Sequence, residues 1–290
     1  MNIAVIGLGA VGMFVASELH ERHNVTCYTR REEQKHQLLK EGLIYNQRKI
    51  SVHAKTIDEL SSHDLYIVCV KQTELDSVLP YLHNVFKEAQ LLFLQNGLGH
   101  LHKIEALPQR IFIGVNENGV LRLSDNEVKR TGIGIIKLSG LTEIEKPYEA
   151  KLVDELANAD FAVEKSNDLF HTMREKLVVN SVINPLTAIF NVKNGEIVAN
   201  RFLNKIAHQL TEEACEALDL DVNFMWEKVT QIAKNTKENH SSMAIDIQRG
   251  RKTEIDYING YLIKHSTKLI SHQLMYDLVK GKENLSHHDN

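Results

Sequence analysis

The sequence is poor in the features that mark several classes of protein. Its three cysteines, Cys27, Cys69 and Cys215, are widely spaced and form no C-x-x-C pair, which predicts a reducing compartment and no metal site. No apolar run reaches the roughly 18 to 20 residues that span a bilayer. Residues 1–10 lack the basic segment of a secretory signal. We therefore expect a cytoplasmic protein without a membrane partner.

The charge is close to balanced. The chain has 34 Lys plus Arg against 38 Asp plus Glu, a formal net charge of −4, so no excess of positive charge supports nucleic-acid binding. With 43% hydrophobic and 25% charged residues, the composition is that of a globular protein. At roughly 100 to 200 residues per domain, the 290 residues predict two domains, with one large α/β domain as the alternative.

A glycine motif follows a short apolar run at the start of the chain. Ile3 to Ile6 predict a buried strand, Gly7-Leu8-Gly9-Ala10-Val11-Gly12 is G-x-G-x-x-G, and Val15, Ala16 and Leu19 continue at helical spacing. In such a motif Gly7 permits the turn, Gly9 lets the backbone approach a pyrophosphate and Gly12 allows close helix packing. The helix N-terminus then favours the anion. The pattern alone also fits a flexible loop, but the strand before it and the helix after it favour dinucleotide binding.

Two arginines follow the second predicted strand, Val25 to Thr29. An NAD site would have an acidic residue here to bind the ribose 2′-hydroxyl, whereas Arg30 and Arg31 suit a 2′-phosphate. The position therefore favours NADP over NAD. The alternative is that both arginines begin a solvated helix, since Glu32 and Glu33 follow.

Polar residues also follow the next two predicted strands. Lys71 comes after Leu65 to Val70, and Asn96-Gly97 comes after Leu91 to Gln95. The carboxyl ends of parallel strands line the ligand crevice, so Lys71 and Asn96 are candidate site residues. Lys71 is equally consistent with an ordinary solvated lysine. Asn-Gly is also typical of a hairpin, although a loop approaching the cofactor is favoured.

The pattern changes from strand and helix to helix alone along the chain. Ile111 to Val120 and Gly132 to Leu138 predict strands, a helix is expected near Tyr148 to Asn158, and helical periodicity dominates from about Asn167. We therefore predict an α/β dinucleotide-binding domain at residues 1–165 and an all-α domain at residues 166–290.

One predicted helix carries a polar stripe. Lys176, Asn180 and Asn184 recur every four residues and share one face. Pro185 should bend or end the helix there. The alternative is that this stripe is only the solvated side of an amphipathic helix.

A second helix is predicted to begin farther on, with Thr253 as its N-cap and Ile255, Ile258 and Leu262 on its buried side. Glu254 would then lie in the first turn, where the helix dipole favours the ionised carboxylate. A purely capping role for Glu254 is the alternative.

Together these motifs resemble the ketopantoate reductase (2-dehydropantoate 2-reductase) family over nearly the whole chain. The segments that carry the resemblance are Gly7 to Gly12, Val70-Lys71, Gln95-Asn96-Gly97-Leu98-Gly99, Glu175-Lys176-Leu177 with Asn180, Asn184-Pro185-Leu186-Thr187-Ala188, Asn194-Gly195, and Ser241-Ser242-Met243 through Asp246 to Thr253-Glu254-Ile255-Asp256. The resemblance implies an N-terminal Rossmann domain, a helical C-terminal domain and an active site in the cleft between them. It also implies NADPH-dependent reduction of 2-dehydropantoate to pantoate, towards pantothenate and coenzyme A.

The resemblance further implies roles for particular residues. Lys176 is the general acid, with Glu254 as the second catalytic residue. Asn96, Asn180, Asn184, Asn194 and Ser242 hold the substrate. The cofactor residues are Gly7, Leu8, Gly9, Ala10, Val11, Gly12, Arg30, Arg31, Lys71, Asn96, Val120 and Glu254. Arg30 matches the family's 2′-phosphate ligand better than Arg31 does, and Val120 stands where the family often has a smaller residue.

Two other functions are open at this point. The same chemistry would serve another branched 2-keto acid, and a non-catalytic NADP-sensing module is an alternative of a different class. The substrate is expected to be a small molecule. The apolar helix faces motivate the hypothesis of a homodimer through the helical domain.

Overall fold

The computed structural model describes residues 1–266 and 268–288. The chain forms two compact units. The first comprises Met1–Gln95 and His100–Leu169, and the second comprises Asn96–Gly99 and the chain from Phe170 onward.

The first unit contains strands and helices in alternation over much of its length. Its strands are β1 (Asn2–Ile6), β2 (Asn24–Thr29), β3 (Leu43–Tyr45), β4 (Arg48–Ile50), β5 (His53–Thr56), β6 (Leu65–Val68), β7 (Gln90–Phe93), β8 (Arg110–Asn116), β9 (Gly119–Arg122), β10 (Glu127–Gly132), β11 (Ile136–Gly140) and β12 (Val163–Lys165). Its helices are α1 (Ala10–Leu19), α2 (Glu32–Glu41), α3 (Leu75–His83), α4 (Leu101–Ile104) and α5 (Lys146–Leu156).

Eight of these strands form one sheet in the order β12-β11-β8-β7-β6-β1-β2-β5. Its pairs are parallel except β8 with β11. In β1 the side chains from Ile3 to Ile6 are all buried, as expected for a strand covered on both faces. The strand order reverses beside β1, between β2 and β6, and such a reversal is where open α/β sheets bind ligands. The predicted Rossmann-type α/β fold is confirmed.

A second, four-stranded sheet in the order β4-β3-β10-β9 was not predicted. We expected one strand over Ile111 to Val120 and one over Gly132 to Leu138. Each is divided, because the chain leaves the large sheet after Asn116 and returns to it at Ile136. The side chains of β9 are only half-buried, so the local hydrophobic pattern carries little signal for this sheet.

The second unit is helical, and no strand lies among its described residues. Its helices are α6 (Leu169–Phe190), α7 (Glu196–Ala199), α8 (Arg201–Leu218), α9 (Val222–Asn235), α10 (Ser242–Gln248), α11 (Asn259–His265) and α12 (Ile270–His288). Side-chain caps begin α8 and α9, where Asn200 and Asp221 accept backbone N–H bonds. Across the two described ranges, no helix is long and apolar enough to cross a bilayer.

Pro185 does not end its helix, because α6 continues to Phe190; the alternative of a bend at Pro185 stays a prediction. Proline has no N–H, so the carbonyl oxygen of Ser181, four residues earlier, loses its usual helical donor. Here the Nδ2 of Asn259 donates to that oxygen at 3.0 Å. A side chain from α11 thus supplies the bond that proline removes, and the helix carries on.

The same amide continues into a buried chain of hydrogen bonds. Asn259 Nδ2 also lies 2.9 Å from His272 Nδ1, and His272 Nε2 lies 2.9 Å from the carbonyl oxygen of Leu210. An amide nitrogen only donates, so Nδ1 accepts and Nε2 carries the hydrogen. Both side chains are fully buried. Desolvation by burial lowers the pKa of His272 despite its bond to Leu210, which favours the neutral ring.

Candidate functional site

Each glycine of the loop after β1 has its own structural reason. Gly7 has φ +93°, and an added Cβ would lie 2.6 Å from Val70 N. At Gly12 a Cβ would lie 2.1 Å from the carbonyl oxygen of Gly7, whereas at Gly9 it would meet nothing within 4 Å. Gly7 and Gly12 are therefore required by the packing of the chain itself. Gly9 presents open backbone, which fits a phosphate group.

Helix α1 begins at this open backbone. Gly9 is its N-cap and supplies no side-chain capping bond. The first N–H groups of a helix have no acceptor within it, and together with the positive end of the dipole they suit an anion. The loop and helix therefore fit the pyrophosphate of a dinucleotide.

Two glutamines hold the loop in place. Gln34 of α2 donates from Nε2 to Leu8 O at 2.8 Å and to Asp125 O at 2.7 Å. Gln95 donates from Nε2 to Val68 O and Val70 O, both at 3.0 Å, and so fixes the segment that lies against Gly7. Sequence reasoning gave neither glutamine a role. The only sequence signal for such a role was the position of Gln95 directly before the Asn-Gly motif.

Both candidate 2′-phosphate arginines lie against carboxylates. Arg30 forms an ion pair with Glu74, and Arg31 lies 2.5 Å from Asp125, which also pairs with Arg122. Burial acts to raise the pKa of Asp125, but the guanidinium groups of Arg31 and Arg122 outweigh it and hold this pKa below its usual value. Arginines in place of an acidic residue directly after β2 had favoured NADP, yet the fold brings the carboxylates of Glu74 and Asp125 to these arginines.

The other two candidates of the first unit lie on separate elements. Lys71 is half-buried and precedes a short 3-10 turn, Gln72–Glu74, directly after Val70. Val120 lies in β9 opposite Arg130 and packs, half-buried, on the hydrophobic core.

In the second unit, α6 holds Lys176, Asn180 and Asn184 within one unbroken helix. Asn184 is buried, while Lys176 and Asn180 are half-buried. Since the three recur every four residues, they share one face, as predicted.

The two adjacent serines have different environments. Ser241 is buried, accepts a bond from Ala244 N as the N-cap of α10, and lies 2.7 Å from Thr187 Oγ1. Ser242, the predicted substrate ligand, is exposed. The hydroxyl of Ser241 thus serves the structure, whereas Ser242 is an exposed residue.

Asn194 is nine-tenths buried. Its backbone N donates to Asn239 O at 2.9 Å, and its Nδ2 donates to Thr236 Oγ1 at 2.9 Å. Its Oδ1 is buried and accepts no hydrogen bond from the described part of the chain. This oxygen therefore retains unused acceptor capacity.

Asn96 and Glu254, far apart in sequence, meet in the second unit. Asn96 Nδ2 donates to Glu254 Oε2 at 3.3 Å, and both residues are half-buried. Gly97 follows with φ +79°. No strand follows this turn before α4, so the hairpin alternative is wrong, and the approach of this loop to the cofactor stays a prediction.

The predicted helix start at Thr253 was wrong. Thr253 N donates to Glu283 Oε1 at 2.7 Å, and Thr253 Oγ1 accepts from Ile255 N. A 3-10 turn, Ile255–Tyr257, follows Glu254, and α11 begins only at Asn259. Buried tertiary contacts of Thr253 and Asn259 override the local helical pattern here.

Comparison with known proteins gives evidence on the family of this chain that is independent of the site geometry. The family described as "Ketopantoate reductase PanE/ApbA" matches residues 3–143, and "Ketopantoate reductase PanE/ApbA C terminal" matches residues 168–283. A 2-dehydropantoate 2-reductase of Bacillus subtilis is 36% identical over 98% of this chain and 98% of its own length.

Solved structures of related enzymes are also similar to this chain over nearly its full length. The crystal structure of a probable 2-dehydropantoate 2-reductase from Bacillus subtilis has a TM-score of 0.83 and 34% identity, covering 97% of this chain and 100% of that one. A complex of D-mandelate dehydrogenase with NADH has a TM-score of 0.91 and 25% identity, covering 98% and 99%. The glycine loop, the Lys-Asn-Asn face and these full-length matches lead to one conclusion: the chain belongs to the ketopantoate reductase family of oxidoreductases.

Proposed function

We propose that this protein reduces 2-dehydropantoate to (R)-pantoate with NADPH, a step towards pantothenate and coenzyme A. The observation that carries the proposal is the single face of α6 on which Lys176, Asn180 and Asn184 lie, in a chain whose full-length relatives are named for this reaction. The bound dinucleotide supplies the hydride. Side chains of the protein deliver the proton and bind the substrate.

Lys176 is the proposed general acid. Hydride arriving at C2 of a ketone leaves negative charge on the carbonyl oxygen, and a nearby ammonium group stabilises that charge and delivers a proton. Lys176 is half-buried, so its interaction with a developing alkoxide is less screened than at a fully exposed position.

Glu254 is proposed to support this lysine. A carboxylate near Lys176 favours the protonated ammonium group, and it can accept a hydrogen bond from a substrate or product hydroxyl. The bond from Asn96 to Glu254 orients this carboxylate, and an ionised carboxylate accepts several hydrogen bonds. Asn96 and Glu254 are also proposed to contact the nicotinamide end of the cofactor.

Asn180, Asn184, Asn194 and Ser242 are the proposed substrate ligands. Pantoate and its precursor carry hydroxyl and carboxylate groups, and an asparagine offers both a donor and an acceptor. The buried Oδ1 of Asn194, which lacks a donor within the described residues, supports this role. Ser242 is an exposed residue, and its hydroxyl is the proposed donor to a carboxylate.

The proposed cofactor residues are the glycine-loop residues Gly7 to Gly12, with Lys71, Val120 and the two arginines. Arg30 is the better candidate for the 2′-phosphate. Arg31 is tied to Asp125, which is itself tied to Arg122 and, through its backbone oxygen, to Gln34. The Arg30 side chain is 68% exposed and meets one exposed carboxylate, so a phosphate can reach it more easily.

A panel of 2-keto acids tests the proposal. We expect the loss of NADPH absorbance to be fastest with 2-dehydropantoate and slower with NADH in place of NADPH. Faster turnover of another acid would keep the chemistry and change the substrate, an outcome that the D-mandelate dehydrogenase likeness makes worth including. NADPH binding without any turnover would favour the sensing module instead.

We also propose the domain assignment, location and assembly that the sequence predicts. Residues 1–165 are the NADP-binding domain and residues 166–290 the substrate domain. The three cysteine thiols are free, which supports a cytoplasmic location.

For assembly, an apolar stripe on α12 supports a homodimer through the helical domain. The exposed side chains are Ile270, Leu274, Leu278 and Leu285. Sedimentation of the wild type and of a Leu274→Gln, Leu278→Gln variant tests it. A wild type at the 33.0 kDa monomer mass would remove the dimer.

A further inference from the structure

The Arg30–Glu74 ion pair joins two loops that flank the glycine loop. Arg30 directly follows β2, and Glu74 ends the 3-10 turn that follows β6. In the sheet, β1 lies between β2 and β6, and the glycine loop follows β1. The pair therefore lies at the carboxyl edge of the sheet beside the proposed pyrophosphate site, where the adenosine half of a dinucleotide would bind.

The Arg30–Glu74 ion pair is weak enough for a bound phosphate to replace Glu74 as the partner of Arg30. Its side chains are 68% and 40% exposed, and exposed ion pairs are weak. A phosphate offers a guanidinium group two parallel charge-assisted bonds, which are stronger. A 2′-phosphate can thus replace Glu74 on Arg30, but the released carboxylate then lies close to a phosphate that carries a charge of about −1.5 to −2.

An unphosphorylated ribose meets the opposite situation. Its 2′-hydroxyl donates a hydrogen bond, and an acidic residue beside it is what NAD sites use as the acceptor. Glu74 can accept that bond while Arg30 continues to balance its charge. The same carboxylate that weakens binding of a 2′-phosphate therefore strengthens binding of a 2′-hydroxyl.

We propose that Glu74 is a specificity-determining residue at the adenosine end of the cofactor site, where its carboxylate lowers the ratio of NADPH to NADH affinity. The inference rests on the proposed function, in which Arg30 binds the 2′-phosphate. It also predicts that NADH is a usable cofactor for this chain.

The test compares two probes that differ only in the 2′-phosphate, 2′,5′-ADP and 5′-AMP. Their dissociation constants are measured by calorimetry on the full-length wild type and on Glu74→Gln, which keeps the side-chain size and removes the charge. We expect 2′,5′-ADP to bind about 3- to 10-fold more tightly to the variant and 5′-AMP about 2- to 5-fold more weakly. The ratio of the two affinities then rises by about 6- to 50-fold.

Asp76→Asn is the matched control. Asp76 lies two residues from Glu74 and pairs with Lys103 at 2.7 Å, so this variant removes one negative charge from the same segment without removing the partner of Arg30. We expect its affinity ratio to stay within about twofold of the wild type.

Each outcome decides the inference. A rise in the ratio confined to Glu74→Gln supports it. An unchanged ratio in Glu74→Gln, or an equal rise in Asp76→Asn, overturns it and leaves the proposed function in place. Arg30→Ala tests the function separately: if that variant keeps the wild-type ratio, the 2′-phosphate assignment falls and the inference falls with it.

Discussion

Removing the side chain of Asn259 should destabilise the helical unit strongly. Its Nδ2 donates to Ser181 O and to His272 Nδ1, and all three residues are fully buried. Asn259→Ala leaves both acceptors without a donor, at about 1 to 3 kcal/mol each, and leaves a small cavity. We therefore expect the free energy of unfolding to fall by about 3 to 5 kcal/mol, measured by urea denaturation.

A double-mutant cycle with Pro185→Ala isolates the cause. Alanine at position 185 restores the N–H that α6 lacks there, so Ser181 O regains a helical donor whether or not Asn259 is present. The cost of Asn259→Ala should therefore be about 1 to 3 kcal/mol smaller in the Pro185→Ala background.

Pro80→Ala provides the matched control for this cycle. Pro80 lies inside α3 of the other unit and should show no coupling with Asn259. If the changes in unfolding free energy of Asn259→Ala and Pro185→Ala add to within about 0.5 kcal/mol, Asn259 does not replace the hydrogen bond that Pro185 removes from α6.

Four further variants have expected outcomes. His272→Gln keeps a donor for Leu210 O but cannot titrate. Because burial lowers the folded-state pKa of His272, its contribution to stability is full above the unfolded-state pKa of about 6.5 and is lost as the pH falls through the folded-state value. Urea denaturation between pH 7 and 5 should therefore show that the free energy of unfolding falls more steeply with decreasing pH in the wild type than in His272→Gln. Equal slopes of this free energy against pH would contradict the prediction. Gly12→Ala should lower the melting temperature, since its Cβ would lie 2.1 Å from Gly7 O, while Gly9→Ala should keep the fold and lose cofactor affinity; equal melting temperatures would contradict the assigned roles. Lys176→Ala should lower kcat by about 10²-fold or more, and an effect on KM alone would make Lys176 a binding residue.

Features encoded over a short stretch of sequence were predicted correctly. The G-x-G-x-x-G loop lies between a strand and a helix, and Lys176, Asn180 and Asn184 share one face, because both patterns depend only on residues close together in the chain. The large sheet and the helical second half follow from the same periodicities.

Features that depend on distant partners were not predicted. The local rule for proline does not predict that the Ser181 carbonyl finds a donor 78 positions away, in the side chain of Asn259. Likewise, the prediction that Arg30 binds a 2′-phosphate rested on its position after β2. It did not include Glu74, which lies 44 positions along the chain. Long-range side-chain pairing leaves no periodic signal in a single sequence.

In the proposed reaction, hydride passes from the cofactor to C2 of 2-dehydropantoate. The most direct measurement uses NADPH carrying deuterium at the transferable C4 position, with mass spectrometry of the product. The account predicts pantoate with one deuterium, bound at C2, in the wild type and far less of it in Lys176→Ala. Oxidation of the labelled cofactor without deuterated pantoate, or no oxidation at all, would contradict it.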